Sequence, residues 1–260
     1  MRPYTVVVVL AGTLPVFGWG PEGHSLVSRI AETQLTPAAR ARIADILGPG
    51  RTLVTIASWA DEARHTRPET APWHYVDIPI GQAHLNFARD CAKGQCIVAK
   101  IEDLRKTVRD PAVPPDQRRE ALMYLVHFVA DMHEPLHCSN DNDRGGNTVR
   151  VVFFERQTNL HSLWDSGLIS RLPPEDQLFA ELSKESARNA KKWRKGTVTK
   201  WAEQSHQSAQ KVVYGALPKA PQGTPLLLGA DYEKKADPLV EEQLAKAGVR
   251  LAAVLNQTFK

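Results

Sequence analysis

The chain has 260 residues, of which 42% are hydrophobic and 24% charged, and a formal net charge of +4. This is the balance of a globular protein that can bury a sizeable core in one domain, and it excludes a low-complexity chain. The mild basic excess suits an anionic substrate without identifying one. One denser basic stretch, residues 188–200 around Trp193, fits either a nucleic-acid patch or the solvated face of a helix, and we favour the helix face.

Residues 1–18 have the organisation of a secretory signal. Arg2 supplies the positive start, an apolar run follows at residues 6–10, and Val16 and Gly18 are small enough for the signal-peptidase positions. The apolar run is too short to span a bilayer, and no other run reaches that length. We therefore expect a secreted or periplasmic protein without a membrane span, whose mature chain, residues 19–260, forms one domain. We also expect this protein to be a monomer, although the signal itself does not specify the oligomeric state.

Apolar residues recur at helical spacing along most of the mature chain. A Thr36-Pro37 start and a Gly48-Pro49 end predict an early helix. Further helical patterns occupy residues 97–108, 122–129, 159–169, 175–193, 198–214 and 238–255. A connection that contains proline and glycine, residues 217–229, separates the last two patterns.

A short β element interrupts the helical pattern. Residues 148–154 are rich in β-branched and aromatic side chains and follow Arg-Gly-Gly-Asn, so we predict one strand or hairpin there. The predicted fold class is therefore mainly α, a single-domain helical bundle with one short β-hairpin.

The three cysteines fit an exported protein. Cys91 and Cys96 flank a glycine-containing segment, and a small disulfide loop between them is expected in an oxidising compartment. Cys138 lies beside His137, so a thiolate ligand has to be considered. No Cys-x-x-Cys partner is present, and we favour a free or structural thiol.

Two segments carry the strongest chemical signal, HFVADMHEPLH at residues 127–137 and HSLWD at residues 161–165. Each begins with a His and an Asp four residues apart, a spacing that places both side chains on one face of an α-helix. Such a pair can chelate a divalent metal, most simply zinc. Because the first pair has Leu, Val and Phe neighbours, its carboxylate would be costly to bury without a cation. The repeated pattern indicates more than one metal.

Two further histidines lie near the first pair. A lone histidine on an apolar helix is more often a core residue than a ligand, so only the joint arrangement supports metal binding. His133 is two residues beyond Asp131 and faces elsewhere on the helix, so we exclude it from direct ligation. His137 follows Pro135, where the chain can turn back toward the same centre.

With these motifs the sequence resembles the zinc-dependent, single-strand-specific nucleases of fungi and plants (the S-one/P-one type). These nucleases share a superfamily with bacterial zinc phospholipase C. The resemblance covers essentially the whole mature chain. Its motifs are WGxxGH at 19–24, WAD at 59–61, WHYVD at 73–77, the segment at 127–137, GGN at 145–147 and NLHSxWD at 159–165.

The resemblance implies three zinc ions, held by His and Asp side chains and by the mature N-terminus. The first would be bound by Asp61, His74, His127 and Asp131. The second would be bound by His24, Asp131 and the α-amino nitrogen and carbonyl oxygen of Trp19, so that Asp131 bridges the two. The third, farther off, would be bound by His137, His161 and Asp165.

The resemblance also implies an activity, the endonucleolytic hydrolysis of single-stranded DNA and RNA to 5′-phosphate products, together with 3′-nucleotidase activity. The implied catalytic residues are Asp61, Arg64 and Asp131. Arg64 lies one helical turn after Asp61 and could brace phosphoryl charge, or it could instead pair with surface acids. The implied substrate-binding residues are Tyr75, which would stack on an unpaired base, Asp77, which would accept hydrogen bonds from it, and Asn147.

Two departures from the resembled pattern are Glu134, where glutamine is expected, and Cys138. Two rival functions also remain at this stage. A zinc phospholipase C would use nearly the same ligands, although its last ligand is typically Glu where this chain has Asp165. A secreted zinc-binding protein without turnover would instead show a single closed four-ligand site.

Overall fold

The computed structural model describes residues 19–221 and 223–260, so the predicted export signal lies outside the described residues. The described fold is mainly α, as predicted. The α-helices are α1 (Pro21–Thr33), α2 (Pro37–Leu47), α3 (Leu53–Ile56), α4 (Trp59–Arg64), α5 (Phe87–Asp90), α6 (Ile97–Arg109), α7 (Pro115–Asp131), α8 (Leu160–Ser162), α9 (Glu175–Trp193), α10 (Val198–Ser208) and α11 (Ala230–Thr258). None of these helices is long and apolar enough to cross a membrane.

Single 3₁₀ or π turns extend or connect the helices. The 3₁₀ turns are Pro68–His74, Ala92–Gly94, Pro135–Cys138 and Ile169–Arg171, and the π turns are Leu163–Gly167 and Ala209–Tyr214. Several sequence predictions are confirmed to the residue. Thr36 caps α2 by accepting a hydrogen bond from the Ala39 amide at 3.2 Å, and α9 spans the predicted residues. At the end of α9, Trp193 is buried while Arg188, Lys191 and Lys192 are exposed, which is the solvated helix face that we favoured.

Helix α7 is the central element of the domain. Every residue from Ala121 to Asp131 is buried, because apolar residues lie on every side of the last three turns of this helix, and His127 and Asp131 are buried among them. The α-helical hydrogen bonding stops at Asp131, since Pro135 has no amide to donate to the Asp131 carbonyl. That carbonyl instead accepts the Glu134 amide at 2.9 Å, and the chain reverses into the 3₁₀ turn Pro135–Cys138. The turn brings His137 back toward the last turn of α7.

Helix α11 packs against α1, α7 and α9 and closes the bundle around α7. Its close approach to α1 depends on Gly248, where an added Cβ would lie 2.4 Å from Ile30 Cγ2. This contact fixes α1, and with it His24, relative to the core.

The predicted hairpin is present as β1 (Arg150–Phe153) and β2 (Arg156–Asn159), paired antiparallel. A third strand, β3 (Leu226–Leu228), pairs parallel with β1 on its other side. The sequence prediction assigned these leucines to a connection and was wrong there, because a run of three apolar residues has no periodicity of its own. Its strand conformation depends on pairing with β1.

Two helix boundaries also differ from the prediction. Helix α11 begins at Ala230 rather than Pro238, and Pro238 lies inside it. Both Pro238 and Lys234 are exposed, so the Lys234 carbonyl, which loses its helical donor, can bond to water. The predicted helix at 159–169 is broken into α8 and a π turn, with Asn159 as the last residue of β2 and the cap of α8.

Cys91 and Cys96 form the predicted disulfide, with a Cα–Cα distance of 5.1 Å. The Cys138 thiol is free, buried and donates to the Met132 carbonyl at 3.3 Å. Burial raises the pKa of Cys138 well above its ordinary value, which keeps it a thiol. It is therefore the structural thiol that the sequence favoured.

Candidate metal centre

The first His/Asp pair lies at the buried end of α7. His127 and Asp131 are both 0% exposed, and His127 Nε2 is 3.0 Å from Asp131 Oδ2. His127 Nδ1 donates to the Ala57 carbonyl at 2.8 Å, which orients the ring and leaves Nε2 facing the carboxylates. This is the usual arrangement of a metal-binding histidine, whose second nitrogen is held by a backbone carbonyl.

Two residues from preceding elements complete this side. Asp61 comes from α4 and His74 ends the 3₁₀ turn after it. Asp61 Oδ1 lies 3.6 Å from His127 Nε2 and 3.8 Å from His74 Nδ1. His74 Nδ1 lies 3.0 Å from Asp131 Oδ2. Asp61, His74 and His127 therefore form one group that could hold an ion.

His24 from α1 meets the opposite oxygen of Asp131. Its Nε2 is 3.2 Å from Asp131 Oδ1, and its ring stacks on that of His127 at 4.0 Å. His24, His127 and Asp131 form a second possible metal-binding group. Asp131 thus directs one oxygen toward His74 and His127 and the other toward His24. A carboxylate in this position could be shared by two adjacent ions.

The second His/Asp pair forms a neighbouring group with His137, which we call the distal group (His137, His161 and Asp165). His161 Nε2 is 3.4 Å from Asp165 Oδ2. His137 Nδ1 lies 2.8 Å from the His74 carbonyl, and His161 Nδ1 lies 2.6 Å from the Gly145 carbonyl. Gly145 has φ +62, and a Cβ there would lie 3.0 Å from the Leu136 carbonyl oxygen, so glycine suits this turn.

The donor set fits zinc. Tetrahedral zinc at about 2.0–2.1 Å from nitrogen or oxygen places neighbouring ligand atoms roughly 3.3 Å apart, close to the distances above. Among the described residues, buried atoms of the centre with no hydrogen-bond partner include His24 Nε2, Asp61 Oδ1, His127 Nε2, Asp131 Oδ1, His137 Nε2, His161 Nε2 and Asp165 Oδ1. Orphaned buried polar atoms are costly, and divalent ions would satisfy them together.

The titration behaviour of the pair on α7 reflects its buried ionic contacts. Burial opposes charge on Asp131, but His127, His137 and the hydrogen bond from His24 hold its pKa well below the ordinary value. Burial likewise opposes charge on His127, but Asp131 and Asp61 raise its pKa to about 10. Without a metal, His127 therefore acts as the counter-cation of these two carboxylates.

In the distal group, burial and the neighbouring charges shift the pKa values in the opposite directions. Burial, and then the charge of His137, lowers the pKa of His161 to about 3, so its Nε2 is unprotonated near neutral pH. Burial, followed by the nearby charges of Glu134 and Asp131, raises the pKa of Asp165 well above its ordinary value. The distal carboxylate therefore lacks a sufficient protein cation, and a divalent ion would supply one.

The predicted mature N-terminus lies beside these groups. Trp19 is fully buried, and the Gly20 amide donates to the Asp165 carbonyl at 2.7 Å. The Gly20 carbonyl in turn accepts the His24 amide at 3.1 Å. These bonds fix the start of α1 between the distal group and Asp131.

The other predicted site residues lie in the segments that carry or adjoin the ligands. The Arg64 side chain is only 12% exposed and its Nη2 is 3.7 Å from Asp61 Oδ1, which places it next to the centre. Tyr75 is 37% exposed. Asp77 accepts a hydrogen bond from Asn140 Nδ2 at 3.1 Å, and Asn147 Nδ2 donates to the Arg144 carbonyl at 2.8 Å within its own turn.

Of two neighbouring residues, His133 supports the fold and Glu134 lies in the metal centre. His133 bonds the Val129 carbonyl through Nδ1 and accepts from Arg250 Nη1 at Nε2, so both ring nitrogens are used outside the centre, as predicted. Glu134 was noted in the sequence only as a departure from the resembled pattern. The structure places its carboxylate with His137, His161 and Asp165 in one possible metal-binding group.

The fold and the site together are those of an α-helical protein built around several adjacent His/Asp metal-binding groups. A sequence model of the S1/P1 nuclease family matches residues 19–260. The chain therefore belongs to the S1/P1 nuclease family, and the predicted resemblance is confirmed. S1/P1 nucleases are metal-dependent hydrolases of phosphodiester bonds, which makes this centre the candidate active site.

Individual relatives match over nearly their full length. The chain is 31% identical to Endonuclease 2 of Arabidopsis thaliana, over 94% of this chain and 91% of that protein. It is 31% identical to Nuclease P1 of Penicillium citrinum, over 92% of this chain and 97% of that protein. It is 28% identical to Nuclease S1 of Aspergillus oryzae, over 92% of this chain and 91% of that protein.

Proposed function

We propose that this protein is a secreted, monomeric zinc-dependent endonuclease that hydrolyses single-stranded DNA and RNA to 5′-phosphate products and also removes the phosphate of 3′-nucleotides. The observation that carries the proposal is the position of Asp131. It lies between His24 on one side and His74 and His127 on the other, with the distal group adjacent. A shared carboxylate of this kind suits two close metal ions acting on one phosphodiester.

The proposed ligands are those implied by the resemblance. The first zinc is held by Asp61, His74, His127 and Asp131. The second is held by Trp19, His24 and Asp131. The third is held by His137, His161 and Asp165. When bound, these ions supply Lewis acidity, which lowers the pKa of water and offsets charge on phosphate oxygens.

Protein groups supply orientation and proton acceptance. Arg64, held near Asp61, would form charge-assisted hydrogen bonds with the non-bridging phosphoryl oxygens and stabilise charge there as the transition state forms. Asp61 could accept a proton from the attacking water through the carboxylate oxygen that is not used for zinc. In these roles Arg64 acts on the phosphate and Asp61 on the attacking water, while Asp131 holds the histidines around them.

The nucleobase would be bound by residues that adjoin the metal ligands. The ring of Tyr75 is accessible, and stacking on it requires an unpaired base, which accounts for a preference for single strands. Asp77 lies two residues away and would accept hydrogen bonds from the base. Asn147 would support substrate binding through its position in the turn that also carries Gly145.

The proposal links activity to removal of residues 1–18. The Trp19 α-amine is a ligand only when residue 18 has been cleaved off. A mature chain beginning at Trp19 should therefore bind one zinc more tightly than a matched chain carrying one additional glycine before Trp19. Equal zinc affinity at every site in the two chains would contradict the proposed role of Trp19.

The direct test of the substrate compares single-stranded DNA, double-stranded DNA, RNA, a 3′-nucleotide and phosphatidylcholine vesicles. The proposal predicts cleavage of the single strands to 5′-phosphate ends and release of phosphate from the 3′-nucleotide. Cleavage of phosphatidylcholine without nucleic-acid hydrolysis would instead identify a phospholipase C. Bound zinc without turnover of any of these substrates would identify a non-catalytic zinc-binding protein.

A further inference from the structure

Glu134 begins the reversal between α7 and His137, and it is 0% exposed. Its Oε2 atom accepts the His137 backbone amide at 2.9 Å and so caps the 3₁₀ turn Pro135–Cys138. Its other oxygen, Oε1, has no hydrogen-bond partner in residues 19–221 and 223–260. One carboxylate oxygen is thus used by the fold and the other is buried and unused.

The Glu134 carboxylate lies with the distal group. One carboxylate oxygen of Glu134 and the ligand atoms of His137, His161 and Asp165 all lie within 4.8 Å of one another. The capping bond fixes the orientation of the Glu134 side chain, because Oε2 is held by the backbone of the same turn that carries His137. The carboxylate that carries the unpartnered Oε1 is therefore held at the distal group by a rigid support.

Glutamate at residue 134 differs from glutamine in its charge. A glutamine carbonyl could make the same capping bond, so the cap alone does not require a carboxylate. A buried carboxylate with an unpaired oxygen is unfavourable unless a cation meets it. A divalent ion in the distal group would meet both Glu134 and Asp165.

We propose that Glu134 is a fourth protein ligand of the distal zinc, bound through Oε1 while Oε2 retains the capping bond. This inference rests on the proposed function and adds one residue to its ligand sets. Two neutral histidines and two carboxylates would make the distal zinc site electrically neutral, whereas glutamine at residue 134 would leave it with one positive charge. Four protein ligands also resemble a closed zinc site more than an open one. With glutamate at residue 134, the distal zinc is therefore bound more tightly than it would be with glutamine, and it attracts the substrate phosphate less.

The test compares the mature wild-type protein with Glu134→Gln, which keeps the cap and removes the charge. Zinc affinity at each site is measured by competition with a chromophoric chelator, and coordination by the visible spectrum after cobalt substitution. We expect one site to lose affinity by about 100-fold or more, since outer-shell partners alone contribute about 10–100-fold. The cobalt spectrum of that site should change, and the other two sites should remain unchanged. Glu203→Gln is the matched control, because Glu203 is a buried glutamate paired with Lys200 and His84 outside these groups.

Wild-type affinity and an unchanged cobalt spectrum in Glu134→Gln would overturn the inference and leave the three-zinc proposal intact. Absence of a distal metal from the wild-type protein would instead overturn both. A crystal structure of the zinc-loaded wild-type protein is independent of whether the variant folds. It should show Oε1 about 2.0–2.2 Å from the distal zinc. A distance beyond coordination, with Oε1 bonded only to water or protein, would overturn the inference.

Discussion

Asp131 stands one helical turn after His127 in α7, with its Oδ2 atom 3.0 Å from His127 Nε2, and both side chains are fully buried. This contact joins the two parts of the proposed dinuclear site, because the other oxygen of Asp131 faces His24 at 3.2 Å. A residue shared in this way cannot be replaced without affecting both ions.

Replacing Asp131 with asparagine should therefore weaken two zinc sites at once. The variant keeps the shape of the side chain and removes its charge. We expect nuclease activity to fall by more than about 100-fold, since even outer-shell partners of a metal are worth about 10–100-fold. Metal analysis after dialysis should show that zinc is depleted from two sites and retained at the distal site. Loss of a single zinc would contradict the bridging role.

Arg64 should act on charge at the phosphate rather than on metal binding. Replacement of Arg64 by alanine should lower kcat by about 10²–10³-fold, the range typical for loss of one preorganised oxyanion donor. Zinc content should stay unchanged. Arg64→Lys should recover only part of the activity, because an ammonium cannot form the bidentate contact of a guanidinium. Unchanged kcat in Arg64→Ala would exclude the proposed role.

Tyr75 and Asp77 should determine which nucleic acid is bound. Tyr75→Ala should weaken single-strand binding by about 1–3 kcal/mol, the range for loss of one base stack, whereas Tyr75→Phe should retain binding. Asp77→Ala should weaken discrimination between bases more than it slows cleavage of a good substrate. The measurement is kcat/KM on oligonucleotides that differ in one base at the cleavage position. Equal loss on all bases would refute the role of Asp77.

These predictions rest on different parts of the sequence. The spacing of His127 and Asp131 predicted their shared face without further information, because the helical repeat alone places such residues together. His24, Asp61 and His74 come from separate elements, so only the resemblance could associate them before the tertiary structure was known. The possible metal contact of Glu134 depends on the chain reversal after α7, which sequence spacing does not specify. The strand β3 was missed for a similar reason, since its pairing partner is distant in sequence.

His133 provides a test of stability that is separate from metal ligation. Burial, and then the charge of Arg250, holds the pKa of His133 well below its ordinary value. As the pH falls below about 6.5, the unfolded chain binds a proton at this residue that the folded protein does not. Stability should therefore fall on acidification by up to about 1.4 kcal/mol per pH unit from this residue.

The variant His133→Gln removes that proton and can keep the contacts with Val129 and Arg250. The measurement is urea unfolding of wild type and variant, both zinc-free, between pH 5 and 8. As the pH falls, the free energy of unfolding of the variant should increase relative to that of the wild type. When zinc is added back, both proteins should bind the same number of zinc ions. A pH-independent difference, or loss of a zinc ion from the variant, would contradict the supporting role assigned to His133.

Phosphodiester hydrolysis is proposed to depend on several zinc ions in one buried His/Asp centre. The most direct measurement is a zinc count on the mature protein together with single-strand nuclease activity before chelation, after exhaustive chelation and after zinc is restored. We expect three zinc ions per chain, loss of activity with their removal and recovery with their return. Nuclease activity that persists after complete removal of zinc would contradict the account.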